Sequence, residues 1–144
     1  MNWLQPAAVS RENHMINSDD YSQILQVDAF FIHLMDRRDF DRLGEAWAED
    51  SSYDGRANGR GLHEGLAAVR KYLSTSHQPV HIHTNYDFDS LEENGTIARG
   101  RTRFFVVFED NVMTTGFADD TWKKTPLGWR IYRRVSHVLA KPKS

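Results

Sequence analysis

The stretch Pro79-Val80-His81-Ile82-His83-Thr84-Asn85 stands where a helical first half of the chain gives way to strands. From here two sets of side chains alternate: Ile82, Thr84, Tyr86 and Phe88 form one set, and His81, His83, Asn85 and Asp87 form the other. Successive side chains of a strand point to opposite faces, so the pattern predicts a strand with one apolar and one polar face. If the polar face points inward, it lines a pocket, and the rest of the chain must supply walls and a partner for proton transfer.

Three helices are predicted before this strand. Ser18-Asp19-Asp20 supplies a capping residue and first-turn acids for the first helix, and apolar residues follow at helical spacing as far as Met35. The second helix starts after the N-cap Asp39, and its core stripe is Phe40, Leu43, Ala46 and Trp47. A short extended piece, Ser51–Asp54, leads into a glycine-rich loop over 55–61, and the third helix is predicted over Leu62–Leu73.

Four long strands complete the prediction. They run from Pro79 to about Leu91 and over Thr96–Phe108, Val112–Lys124 and Trp129–Leu139, and the Asn-Gly pair at 94–95 predicts the first hairpin turn. Early helices followed by a meander of strands indicate an α+β fold, with helices packed on one face of a strongly curved, mostly antiparallel sheet that encloses a cavity. Residues 1–17 are interpreted as an N-terminal arm and 18–144 as a single domain.

Composition narrows the class of protein. The chain has 144 residues, a formal net charge of −2 and no cysteine. The near-neutral charge argues against a nucleic-acid partner, and zero cysteines exclude disulfides and thiolate chemistry. No apolar run approaches the roughly 18 residues that span a bilayer. We therefore expect a cytoplasmic protein with no membrane or nucleic-acid partner.

The two histidines of the opening stretch have three interpretations. Each could be a structural strand residue, or His81 and His83 could share a metal ion, although no further ligand occurs at a diagnostic spacing. The third interpretation pairs one imidazole with Asp36, which lies at the edge of the apolar stripe of the first helix. A carboxylate can orient an imidazole and stabilise its protonated form, which makes the histidine an effective general base.

The last strand carries an arginine cluster. Alternation predicts Arg130 and Arg134 on one face, with Trp129, Ile131, Arg133 and Val135 on the other. Cross-strand pairing with acidic residues such as Asp119 and Asp120 is the structural interpretation. The functional interpretation is that an inward arginine, or the phenol of Tyr53, holds an anionic oxygen of a substrate.

Several motifs together resemble the SnoaL-like group of the cone-shaped α+β roll superfamily. They are Leu-Met-Asp36-Arg-Arg-Asp-Phe-Asp-Arg-Leu, Glu-Ala-Trp47-Ala-Glu-Asp, Gly-Leu-His-Glu-Gly, His81-x-x-Thr84-Asn85 and Gly-Trp129-Arg-Ile-Tyr-Arg-Arg. The combination of Asp36 and His81 resembles the Asp–His dyad of the branch that contains scytalone dehydratase and lindane dehydrochlorinase.

That resemblance implies an enzyme that needs no cofactor or metal and that eliminates from, isomerises or cyclises a small hydrophobic or polycyclic substrate. His81 would be the general base and Asp36 its partner, and the expected substrate contacts are Arg134, Tyr53, Asn85, His83 and Trp47. A homodimer is expected. The alternative is a non-catalytic small-molecule-binding or assembly domain of the same fold.

Overall fold

The computed structural model describes residues 16–75, 80–92 and 95–140. Its elements, in chain order, are α1 (Ser18–Arg37), a 3₁₀ helix (Phe40–Glu45), β1 (Trp47–Asp54), a 3₁₀ turn (Arg56–Asn58), β2 (Leu62–Glu64), α2 (Leu66–Ser74), β3 (Val80–Glu92), β4 (Ile97–Val107), β5 (Met113–Thr125) and β6 (Gly128–Ala140). All but the last two residues of the predicted arm, and Asn94 of the predicted hairpin turn, lie outside the described residues. The division into arm and domain therefore stays a prediction.

The six strands form one curved sheet in the order β2-β1-β6-β5-β4-β3. The β1–β6 pair is parallel and the other pairs are antiparallel. Helix α1 contacts β3 and β6, whereas α2 contacts β1. Three tryptophans, Trp47, Trp122 and Trp129, are almost fully buried between the helices and the sheet. The predicted α+β fold with a mixed, mostly antiparallel sheet is confirmed.

Helix α1 is fixed at both ends and along one side. Asn17 is its N-cap, because its side chain accepts a hydrogen bond from the backbone N–H of Asp20 at 2.9 Å; the predicted cap, Ser18, is instead the first helical residue. Arg38 ends the helix in a left-handed conformation. Asp20 also accepts a hydrogen bond from the indole of Trp129 at 2.9 Å, which ties the first turn of α1 to β6.

The second and third predicted helices are partly wrong. Trp47 opens strand β1 and does not close a helix, and within the described structure the side chain of Asp39 makes no capping bond. Residues 62–64 pair with β1 as a short strand. Gly65, at φ 86°, then turns the chain so that α2 starts only at Leu66.

Two of the β-bulges in the sheet change which of the candidate site residues face the helices. In β3, Thr84 pairs with Arg103 and Asp87 with Arg101, so β3 has one residue more than β4 there; Asn85, at φ 53°, lies in this bulge. A bulge residue reverses the inward–outward alternation of the strand. The prediction that Asn85 shares the inward face of the histidines is therefore wrong: Asn85 is exposed, while Tyr86 faces inward.

The second bulge is in β6. Thr121 pairs with Arg133 and Trp122 with Ile131, so Tyr132 is the extra residue of β6. As a result both Ile131 and Arg134 are buried, although simple alternation predicted that they lie on opposite faces. This bulge is what brings the guanidinium of Arg134 into the interior of the roll.

Candidate active site

A cavity of about 400 Å³ lies between the helices and the inner face of the sheet. Its walls are mostly apolar and come from α1, α2, β4, the residue that follows β4, and β6: they include Phe31, Ile32, Met35, Leu73, Phe104, Val106, Phe108 and Val138. Its polar lining includes Tyr53, His81, His83, Thr102, Arg134 and Ser136. An apolar cavity with a few convergent polar groups is typical of a small-molecule site.

The structure brings Asp36 and His81 together at this cavity. One carboxylate oxygen, Oδ1 of Asp36, accepts hydrogen bonds from the backbone N–H of His81 at 3.1 Å and from its ring Nδ1 at 2.9 Å. The Asp36 side chain is 29% exposed and the His81 side chain 10%. An ionised carboxylate only accepts, so Nδ1 carries the hydrogen and Nε2 is left as the basic nitrogen of a neutral ring.

Burial governs the protonation of His81. It lowers the pKa of the imidazole below the ordinary value of 6.5, and the opposing effect of the Asp36 carboxylate is smaller. His81 is therefore mainly neutral at pH 7 and can accept a proton there.

A second Asp–His pair lies beside the first. Asp28, eight residues before Asp36 and so just over two turns away on α1, contacts Nδ1 of His83 at 2.8 Å. The hydroxyl of Tyr86 donates to the same oxygen of Asp28 at 2.7 Å. The Asp28 side chain is fully buried and the His83 side chain is 8% exposed. Each histidine of the strand thus has its own carboxylate on α1.

Arg134 connects the second pair to β5. Its Nη2 donates to Asp28 at 3.1 Å and to Asp120 at 2.8 Å, and its Nε donates to Asp120 at 2.7 Å. Burial alone would raise the pKa of the Asp28 carboxyl, but His83, Arg134 and Tyr86 hold it well below its usual range. Burial likewise opposes the charge of Arg134, yet Asp120 and Asp28 raise its pKa further. Asp28 and Arg134 are therefore both charged at neutral pH.

The other predicted site residues differ in position. Tyr53, paired with Arg134 across β1 and β6, lines the cavity, and burial and then Tyr72 raise its pKa to about 12, so its phenol stays protonated. Trp47 packs behind the cavity, edge-on to Phe31 with ring centroids 5.4 Å apart, and is not among the lining residues. Asn85 lies on the exposed bulge and is likewise not among them.

Sequence reasoning missed Asp28 and Tyr86 as site residues, and it named Asp120 only as a structural cross-strand partner of the arginines, a pairing that Arg134 makes. A signal for Asp28 was present, because it lies four residues after Ile24 and three before Phe31, within the apolar stripe of α1. An acid in the middle of such a stripe is buried and needs partners. Asp120 gave a similar signal on β5, where it alternates with the buried Ala118 and Trp122.

The contacts of the two strand histidines bear on the metal interpretation. Nδ1 of each histidine contacts its own carboxylate, and over residues 16–75, 80–92 and 95–140 no three His, Asp or Glu side chains are grouped as metal ligands.

None of the described helices is long and apolar enough to cross a membrane.

Helices packed on a curved sheet around a cavity define the cystatin-like, or NTF2-like, class of fold. Within it the chain belongs to the SnoaL-like family, whose domain model matches residues 17–135. An uncharacterised protein of Mycobacterium tuberculosis is 32% identical over 124 residues, which cover 81% of this chain and 83% of that protein. The predicted family membership is confirmed.

Solved structures agree at the level of the fold. An NTF2-like protein of Novosphingobium aromaticivorans superposes with a TM-score of 0.72 at 23% identity, over 86% of this chain and 84% of that one. The hexachlorocyclohexane dehydrochlorinase LinA-type3 of Novosphingobium barchaimii gives 0.72 at 13% identity, over 85% and 88%. A candidate scytalone dehydratase of N. aromaticivorans gives 0.70 at 18%, over 85% of both chains.

Proposed function

We propose that the protein is a cofactor-independent enzyme that removes a proton from carbon in a small hydrophobic substrate and so promotes elimination, isomerisation or cyclisation. The observation that carries this proposal is the contact of 2.9 Å between Asp36 and Nδ1 of His81 at the wall of the cavity. A base held in one tautomer and kept neutral by burial is suited to this step.

In this proposal His81 is the proton acceptor and Asp36 orients and stabilises its ring. Nε2 of His81 takes the proton, and the ring becomes positively charged. Asp36 keeps the hydrogen on Nδ1 and stabilises the charged ring, and its side chain is 29% exposed at the end of α1. The pair can therefore release the proton to water after each cycle.

Tyr53 and Arg134 are the proposed contacts for a substrate oxygen that gains negative charge. The Tyr53 phenol is a donor at any pH of interest, because its pKa is raised to about 12. Among the described residues, Nε and Nη2 of Arg134 donate hydrogen bonds to the carboxylates of Asp28 and Asp120. Nη1 is therefore the nitrogen that we assign to the substrate contact. Donors placed before the reaction stabilise a developing oxyanion most effectively.

The cavity and the similar structures support the substrate class. A volume of about 400 Å³ suits a compact molecule of one or two rings, and most of the lining is apolar. The name of the LinA-type3 neighbour describes an elimination from a chlorinated ring. At 13% identity that likeness concerns the fold, so the reaction comes to this chain only as part of the proposal.

We also propose a homodimer that forms through the outer face of the sheet. Val80, Ile82 and Met113 are 41%, 49% and 59% exposed. β-pairing places Val80 and Ile82 on β3 and Met113 on β5, the two strands on either side of β4. Clustered exposed apolar side chains are typical of association surfaces.

Base-promoted ring opening of 5-nitrobenzisoxazole tests the catalytic proposal without knowledge of the natural substrate. Removal of its one acidic C–H proton breaks the N–O bond and releases a coloured phenolate. We expect turnover by the wild type and a loss of about 100-fold or more in His81→Gln. His63→Gln is the matched control, because His63 stacks on Tyr72 and is not a lining residue of the cavity. Equal rates in wild type and His81→Gln would remove His81 as the base.

A further inference from the structure

His83 shares a wall of the cavity with His81 but has a different chemical setting. The two residues are separated by one position on β3, before the bulge, so both side chains face the helices about 6.6 Å apart along the strand. Nδ1 of His83 contacts Asp28, so Nε2 is the ring nitrogen that we assign to contact with a substrate in the cavity. A substrate in the cavity can therefore meet two imidazoles at once.

The charges around the two rings are unequal. His81 contacts one carboxylate, that of the partly exposed Asp36. His83 belongs to a buried cluster in which two carboxylates, Asp28 and Asp120, face one guanidinium, that of Arg134. The cluster has a net charge of −1 when His83 is neutral and is balanced when His83 holds a second proton. Uncompensated charge is costly in a buried site, so the charge balance of the cluster favours a His83 ring that carries the second proton.

We propose that His83 is a second catalytic residue, which donates a proton from Nε2 to the departing or charge-bearing oxygen while His81 takes a proton from carbon. This inference rests on the proposed function and adds a general acid, His83, to the general base His81. Asp28 is a positioning residue, because it contacts the ring of His83. Tyr86 positions Asp28 through a hydrogen bond, and Arg134 does the same in addition to its proposed contact with the substrate.

Loss of water from a substrate would use both rings. The C–H bond breaks and its proton goes to Nε2 of His81, while its electron pair forms the new C=C bond. The C–O bond breaks, and the oxygen keeps that electron pair and takes the proton from Nε2 of His83, so water leaves. His81 ends with one proton more and His83 with one fewer, and exchange with water restores both.

The positions of the two histidines on β3 indicate the substrate class. Their backbones are about 6.6 Å apart along the strand. Two side chains attached at this spacing can approach a C–H and an oxygen that are two or three bonds from each other. A β-hydroxy ketone or a hydroxylated ring next to a carbonyl has this relation. The acid matters most when the leaving oxygen is a poor leaving group by itself.

Two probes of different leaving-group quality test the inference. Opening of 5-nitrobenzisoxazole releases a well-stabilised phenolate, and opening of unsubstituted benzisoxazole releases a poorer one that gains from a proton donor. We expect His83→Gln to lose about tenfold or more additional rate on the unsubstituted probe than on the nitro probe. We expect His81→Gln to lose similar factors on both probes, and His63→Gln serves as the control. An equal loss on both probes in His83→Gln would overturn the acid role and leave His83 a purely structural residue.

Nitrogen-15 NMR of histidine-labelled full-length protein shows, independently of turnover, whether His83 carries a second ring proton. At a pH at which His81 carries one ring proton, we expect both ring nitrogens of His83 to be protonated, and Asp28→Asn to remove the second proton. A His83 ring with one proton under that condition would overturn the inference. If the wild type opens neither probe, the proposed function fails, and the NMR result still decides whether His83 holds the extra proton.

Discussion

Replacing Asp28 with Asn removes one negative charge from the buried cluster of Asp28, Asp120 and Arg134 and keeps the size of the side chain. Asp28 is fully buried and accepts hydrogen bonds from His83, Tyr86 and Arg134. An amide has one acceptor oxygen for these three donors, and its NH₂ group faces other donors. Removal of one partner from a buried ion pair typically costs about 3–5 kcal/mol of folding free energy. Because small domains have about 5–15 kcal/mol in total, we expect the variant to fold at 25 °C but to unfold at much lower urea.

The matched control is Asp50→Asn. Asp50 forms an ion pair with Lys123 at 2.9 Å, but both side chains are well exposed. Exposed pairs contribute about 1 kcal/mol or less, so this variant should unfold near the wild-type midpoint. Urea unfolding followed by tryptophan fluorescence measures both variants. A cost for Asp28→Asn as small as that of Asp50→Asn would refute the account of the buried cluster.

The pH dependence of the same measurement has a definite sign. The folded protein holds the pKa of Asp28 well below its ordinary value of 3.8. A carboxyl with a lowered pKa contributes stability that is complete above the ordinary value and is lost as the pH falls below it. The stability difference between wild type and Asp28→Asn should therefore be constant near neutral pH and shrink below about pH 3.8.

Two further predictions concern the sheet. Gly116→Ala should destabilise the protein by about 1–3 kcal/mol, because the added methyl group would collide with the carbonyl of His137, whereas Gly44→Ala meets the end of a flexible side chain and should cost less in the same thermal melt. Ile82→Lys should shift the sedimentation profile from dimer to monomer by placing a charge on the outer face of the sheet. Leu127→Lys is its control, since Leu127 is equally apolar but lies in the turn before β6, and a dimer that persists in Ile82→Lys would argue for another interface.

The fold could be predicted because its patterns are local. Helical spacing from Tyr21 to Met35 and two-residue alternation in the strands need no knowledge of the neighbours. The β-bulges could not be predicted in this way. One extra residue at Asn85 or Tyr132 leaves the local composition unchanged, yet it exchanges the two faces of the strand beyond it. This is why Asn85 was assigned to the wrong face.

The candidate site was predicted in part. Asp36 and His81 were paired on the order of elements and on a family resemblance, and the structure places them 2.9 Å apart. In the deeper cluster, the pairing of an arginine with Asp120 was foreseen as a cross-strand contact. The contacts of Asp28 with His83 on β3 and Arg134 on β6 were missed, because no sequence spacing records contacts between distant elements. Asp28 within an apolar helix stripe was the available clue. A buried acid implies partners, but the sequence does not say which residues they are.

The pH profile of kcat/KM for opening of 5-nitrobenzisoxazole tests most directly whether His81, held by Asp36, is the base. The reaction needs the neutral ring, and burial lowers the pKa of His81, so the rate should rise with pH to a plateau with a midpoint below 6.5. The Asp36 carboxylate raises that pKa, so Asp36→Asn should move the midpoint to still lower pH, and His81→Gln should abolish this limb of the profile. A midpoint that is the same in wild type and Asp36→Asn, or a limb that survives in His81→Gln, would contradict the account.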